Sequence, residues 1–153
     1  MVDVVIIGAG PIGLNAALKL SELNKKVLLI EAEDFLGGQL TRLYPEKEIV
    51  DIVGIPSIKA KDYITSLVNK VENDQNITIK LKEKVLSIDE HIVTTNKDKY
   101  EATYIIVAIG LGTTTPRPMG LEDENECKNI LYSLQDLSTL KNKEVLVLGG
   151  GDS

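Results

Sequence analysis

Apolar and polar positions fall along this chain in blocks that predict a βαβ opening. Val2–Ile7 is apolar at nearly every position and rich in β-branched residues, the pattern of a strand buried on both faces of a parallel sheet. From Pro11 to about Asn24, Ile12, Leu14, Ala16, Ala17, Leu18, Leu20 and Leu23 favour a helix, with Lys19 and Glu22 left to solvent. Val27–Ile30 predicts a second strand ending at Glu31, so the unit is the size of a mononucleotide-binding half. A Gly/Pro-bearing loop is expected over 32–59, and loops of that length in a compact domain are usually functional. Helical spacing returns over 60–73 through Tyr63, Ile64, Leu67, Val68 and Val71. Segments 77–81, 85–88 and 92–95, followed by a strand beginning near Tyr100, read as a small antiparallel meander. A further buried parallel strand is expected over 105–109, an extended connector over 113–118, a short helix over 133–140 and one more strand over 144–148.

With 153 residues, 26% of them charged and 43% hydrophobic, the chain has the length of about one soluble domain and enough apolar content for a real core. Disorder, collagen-like repeats and a disulfide scaffold are excluded. A net charge of −6 argues against a nucleic-acid or anionic-membrane partner, because a phosphate-tracking surface needs positive excess. The one cysteine, Cys127, allows neither an internal disulfide nor a CxxC redox pair. Asp3 interrupts the apolar start, no basic region precedes it and no run spans a bilayer, so a cytoplasmic location is expected.

The chemistry begins at Gly8-Ala9-Gly10-Pro11-Ile12-Gly13, which fits G-x-G-x-x-G between a predicted strand and a predicted helix. The first glycine permits the tight turn and the second lets a pyrophosphate approach the backbone. The third lets helix and strand pack closely, while the helix N-terminus offers N–H groups and positive dipole to the phosphates. Glu31 follows 23 positions after Gly8, near the usual spacing of about 20, and a carboxylate there grips ribose hydroxyls and repels a 2′-phosphate. The first site is therefore expected to take FAD or NAD rather than NADP. Two features favour FAD: Gly37-Gly38-Gln39-Leu40 in the long loop, and a second strand-plus-glycine fingerprint ending Gly149-Gly150-Gly151-Asp152-Ser153. A flavin beside a nicotinamide is the natural pair.

These residues, with the 105–110 segment, resemble the low-molecular-weight thioredoxin reductase group of flavoproteins. Within it, Tyr44-Pro45-Glu46-Lys47 and Asp51-Ile52-Val53-Gly54-Ile55-Pro56 are similar to the thioredoxin-reductase-like ferredoxin (or flavodoxin)–NADP reductases. The resemblance covers essentially the whole chain and less than half of a family member. It implies a Rossmann-like α/β fold of three layers, a parallel sheet plus an antiparallel β-meander, with the first strand of a second NAD(P)-binding domain. The expected divisions are an FAD-binding domain over 1–112, a connector over 113–142 and the start of the second domain over 143–153. It also implies FAD as cofactor, NADPH as electron donor in the intact enzyme, ferredoxin or flavodoxin as acceptor, and a homodimer.

Carried across by the resemblance, Gly8, Gly10 and Gly13, with Pro11 and Ile12 between them, hold the pyrophosphate, and Glu31 holds the adenosine ribose. Gly38 and Gln39, followed by Leu40, lie along the ribityl chain and flavin; Asp51 sits near the ring, and the backbone at Val85 meets the adenine edge. Ala108 and Gly110 close over the cofactor. Tyr44 stacks on the flavin, with Phe35 its competitor inside the same loop, in a chain that has no Trp, one Phe and five Tyr.

The departures also speak. Lacking a CxxC pair, the chain is not expected to reduce thioredoxin; Cys127 reads as a structural thiol, and His91 in its charged turn as a surface residue. No acid–base pair or nucleophile stands out. The second fingerprint reaches Ser153 with no helix after it, so NADPH binding by these residues alone is not expected. An FAD- or ADP-binding module without turnover, a thioredoxin-reductase-group enzyme with another acceptor, and an NAD-binding Rossmann protein remain the alternatives.

Overall fold

The computed structural model describes residues 2–111, 119–123, 126–127, 129–132 and 137–149. The chain divides into two compact units, Met1–Arg117 and Pro118–Ser153. In the first, β1 (Val2–Ile7), α1 (Pro11–Glu22) and β2 (Val27–Ile30) form the expected opening. After them come α2 (Gly38–Arg42), a two-residue hairpin of β3 (Glu48–Ile49) and β4 (Ile58–Lys59), and α3 (Ala60–Glu72). The unit continues with β5 (Ile77–Lys80), β6 (Val85–Asp89), β7 (Ile92–Thr95) and β8 (Lys99–Val107).

The order β5-β2-β1-β8-β7-β6 makes one mixed sheet of six strands. β1 runs parallel to both β2 and β8, and β2 runs parallel to β5. α1 and α3 pack on one face over Val4, Ile6, Val27, Leu29 and Ile77. The meander folds across the other face, where Val93 and Ala102 bury against Val5, Ile7, Leu28 and Ile30. These are the three layers the motifs imply. The helices supply their faces at the expected spacing: Leu14, Ala17 and Ser21 on α1, and Ala60, Ile64, Leu67 and Val71 on α3. Asn24, at φ 57°, takes the left-handed conformation that ends α1.

Three sequence expectations for the first unit are corrected. Segment 77–80 belongs to the parallel sheet rather than the meander, because α3 returns the chain to the edge of β2, where Ile77 pairs with Val27. The strands expected near Tyr100 and over 105–109 are one strand. β8 pairs antiparallel with β7 through Lys99–Glu101 and then parallel with β1 through Ala102–Val107. Its C-terminal end is open, with Val107 57% and Ile109 57% exposed, since α1 and α3 cover β1, β2 and β5.

In the second unit, Leu137–Leu140 forms one turn of 3₁₀ helix, and residues 133–136 of the expected helix lie outside the described residues. Residues 143–149 form no strand, and Val145, Leu146, Val147 and Leu148 are exposed. A strand needs a neighbour to take its N–H and C=O groups, and among the described residues none pairs with this run. Of the second fingerprint, Gly149 has φ +94°, while Gly150, Gly151, Asp152 and Ser153 lie outside the described residues, as do residues 113–118 of the expected connector. Among the described residues no helix is long and apolar enough to cross a membrane.

Candidate functional site

β1 is flanked by β2, reached through α1, and by β8, reached from the opposite side of the sheet. At such a switch point the chain leaves the carboxyl ends of neighbouring strands in opposite directions and opens a crevice between them. The crevice is present as a cleft of about 800 Å³ at the ends of β1, β2 and β8.

Its floor is the turn from β1 to α1. Gly8 N–H donates to the Ile30 carbonyl (2.8 Å) and Ala108 N–H to that of Ile7 (2.8 Å), which extends the sheet pairing to the rim. Gly8 is required sterically: its φ is +100°, and a Cβ would lie 2.5 Å from the Ala108 carbonyl oxygen. Gly13 is required for packing, since a Cβ there would collide with the Gly8 carbonyl oxygen. Gly10 is different. It caps α1 with no side-chain hydrogen bond, has ordinary extended backbone (φ −70°, ψ −178°), and a Cβ on it would meet nothing within 4 Å. With Pro at the first helical position, the positive end of α1 opens onto the cleft through Gly10, with no side-chain cap among the described residues.

Glu31 closes the turn from the side. Its carboxylate accepts from the Ala9 N–H (2.7 Å on Oε2) and the Glu33 N–H (3.0 Å on Oε1). Each carboxylate oxygen accepts more than one hydrogen bond, so capacity remains on the cleft side. The loop after β2 then folds back. Gly37 N–H donates to the Ala9 carbonyl (2.8 Å), and a Cβ on Gly38 would stand 3.2 Å from the Gly10 Cα. The two glycine-bearing loops are therefore one bonded surface. Glu33 forms a 3.5 Å ion pair with Arg42.

Of the residues expected from the sequence, Gly8, Gly10, Pro11, Ile12 and Glu31 line the cleft, as do Gly38, Gln39 and Leu40 from the second loop. Val85, Ala108 and Gly110 line its far walls. Gly13 lies beneath the turn instead of on the cleft surface. Neither Tyr44 nor Asp51 is brought to the cleft. Tyr44 follows α2, with the Lys47 ammonium 5.5 Å from its ring centroid, and Asp51 is exposed. Phe35, the competitor for the aromatic role, does line it.

Sequence reasoning missed Glu83 and Lys84, along with Ile109 and Leu111 at the open end of β8. Glu83 sits in Lys80-Leu81-Lys82-Glu83-Lys84, which reads as a solvated charged turn, yet it is 2% exposed. No spacing signal marks it.

A family model described as pyridine nucleotide-disulphide oxidoreductase matches residues 5–153. The chain belongs to that family. Within the pyridine nucleotide-disulphide oxidoreductases, it is 40% identical over 158 aligned positions to a ferredoxin–NADP reductase of Acholeplasma laidlawii, covering all of this chain and 48% of that protein. The chain thus spans about half the length of the curated relatives it matches. Among solved structures, a ferredoxin-flavin thioredoxin reductase of Clostridium acetobutylicum is 31% identical, with a TM-score of 0.58 over 75% of this chain and 39% of its own. A Lactococcus lactis thioredoxin reductase shares the fold, with a TM-score of 0.61 at 24% identity over 82% of this chain and 40% of its own. The group and the fold expected from the motifs are both borne out.

Proposed function

We propose that these residues form the FAD-binding part of an oxidoreductase that passes electrons from NADPH to ferredoxin or flavodoxin. The observation that carries the reading is the joined turn at the base of the cleft. An uncapped helix N-terminus opens there over Gly10, and the Glu31 carboxylate is fixed by Ala9 within the same turn. An ADP moiety needs these two features side by side: unpaired N–H groups and dipole for its pyrophosphate, and an acceptor for its ribose. In this reading Gly8, Gly10, Pro11 and Ile12 receive the pyrophosphate, Glu31 the ribose and the Val85 backbone the adenine. Gly38, Gln39 and Leu40 lie along the ribityl chain, Phe35 supplies an aromatic surface, and Ala108 and Gly110 border the ring. Gly13 acts through packing, and the reading gives Tyr44 and Asp51 no contact with the cofactor. A flavin held by these residues would supply hydride acceptance from a nicotinamide and one-electron release. The chain's own residues would hold it at the base of the cleft. Relatives named ferredoxin–NADP reductase support this acceptor class, and a cytoplasmic, homodimeric whole protein belongs to the same proposal.

A binding module without turnover is a second reading, favoured by the absence of a strand over 143–149 in the segment carrying the second fingerprint. Calorimetric titration of the purified chain with FAD and with FMN, which lacks the ADP half, tests the first claim. FAD is expected to bind and FMN to fail; equal binding, or none by either, overturns it. Adding NADPH to the FAD-loaded chain then separates the readings, since bleaching supports turnover and persistent colour supports binding alone.

A further inference from the structure

Glu83 leaves β5 on the wall of the cleft, and its N–H donates to the Glu31 carbonyl at 2.9 Å. Its side chain is nearly sealed, the residue being 2% exposed, and among the described residues no lysine or arginine forms an ion pair with it. The two carboxylate oxygens are used very unequally. Oε1 accepts from the Thr95 hydroxyl at 2.7 Å and from the Tyr100 hydroxyl at 2.8 Å. Among the described residues Oε2 has no donor, and no side-chain oxygen there is both without a partner and closed off from solvent. Glu83 is one of the residues that line the cleft.

A carboxylate oxygen held at such low exposure without a donor is costly, and a purely structural role gives no reason to keep it. Resting on the reading of this cleft as the seat of an adenine dinucleotide, we propose that Glu83 reads the base. Its Oε2 accepts a hydrogen bond from the exocyclic amine of a 6-aminopurine. The hydrogen bond to the Glu31 backbone ties Glu83 to the residue assigned to the ribose, so the base on that sugar lies beside it. Adenine presents an N–H donor at position 6. Hypoxanthine and guanine present a carbonyl oxygen, whose lone pairs face the carboxylate and are repelled. Tyr100 and Thr95 act as positioning residues: their hydroxyls fix Oε1 and leave Oε2 to the ligand.

Calorimetric titration of the 153-residue chain with ADP and with inosine diphosphate tests this. The wild type is expected to prefer ADP by about tenfold or more, the weight of one hydrogen bond to a charged acceptor. In Glu83→Gln the amide oxygen takes the two hydroxyls and turns the –NH₂ to the cleft, where it opposes the adenine amine and suits the inosine carbonyl. The ADP preference is then expected to fall by about tenfold, towards equality or reversal. Where circular dichroism shows that Glu83→Gln does not fold, Tyr100→Phe takes its place, and freeing Oε1 from one donor is expected to lower the ratio about threefold. A wild type without preference, or an unchanged ratio in a folded variant, overturns the role of Glu83 while leaving the cleft as an ADP site. Failure of both nucleotides to bind the wild type overturns the reading of the cleft and this inference together.

Discussion

Gly10 and Gly13 are three residues apart in one motif, yet the structure gives them opposite burdens, and alanine at each position separates binding from folding. At Gly10 the backbone suits any residue and a Cβ meets nothing within 4 Å. Restricting the unfolded chain there gains about 0.4–1 kcal/mol. The poorer N-cap character of alanine offsets this by a similar amount. The net effect is close to zero, so Gly10→Ala is expected to melt within about 3 °C of the wild type. The methyl nevertheless stands over the uncapped end of α1, where the pyrophosphate is proposed to approach. Loss of one charge-assisted hydrogen bond there weakens FAD about 10–100-fold. At Gly13 the Cβ collides with the Gly8 carbonyl oxygen, so helix and strand must separate. Over-packing of that kind costs about 1–3 kcal/mol and lowers the melting temperature by roughly 3–15 °C. Circular dichroism melts give the stability, and quenching of FAD's own fluorescence gives the affinity in a chain without tryptophan. A Gly10→Ala protein that melts far below the wild type, or binds FAD as tightly, refutes the reasoning.

Other outcomes follow from the same bonds. Glu31→Ala strands the Ala9 N–H, so a loss of about 1–3 kcal/mol is expected in urea melts, together with weaker ADP binding. Tyr100 is pushed up to about 12 by burial and then by its hydrogen bond to Glu83. Its neutral form is the folded one, so stability is intact below pH 10 and falls as pH rises towards 12; an ultraviolet titration should find one tyrosine ionising well after the others. Asp74 is held below the usual carboxylate range by the Ser21 hydroxyl and then the Asn76 N–H. The stability it adds is present above pH 4 and lost as pH falls through its lowered value, and Asp74→Asn should flatten that acid limb in melts taken at successive pH values.

Residues that act on their chain neighbours were easy to read. The apolar runs of β1 and β2, the 3.6-residue spacing of α1 and α3, and the glycine motif with its trailing Glu31 are local signals, and each maps onto the element or cleft wall it announces. Partner choice was not readable in the same way. A strand's alternation is the same whether it joins a parallel sheet or a meander, so β5 was grouped with the wrong neighbours, and β8, which pairs both ways, was split in two. Glu83 shows the same gap at the level of chemistry. Its burial depends on Thr95 and Tyr100, 12 and 17 residues onward, and nothing in a lysine-flanked glutamate reports them. Resemblance puts the aromatic role on Tyr44 with Phe35 as its competitor, and of the two it is Phe35 that the loop after β2 carries to the cleft.

The pairing of Ile7 with Val107 spans about a hundred positions, and it lies at the centre of the sheet. On the ribosome, at about 5–20 residues per second, β1 waits several seconds for its neighbour to emerge. During that interval it is an uncovered apolar edge, the kind of template other nascent chains can join. Loop closure over such a distance also places this domain among slow folders, so its yield in the cell should depend on holdase chaperones more than its modest size suggests.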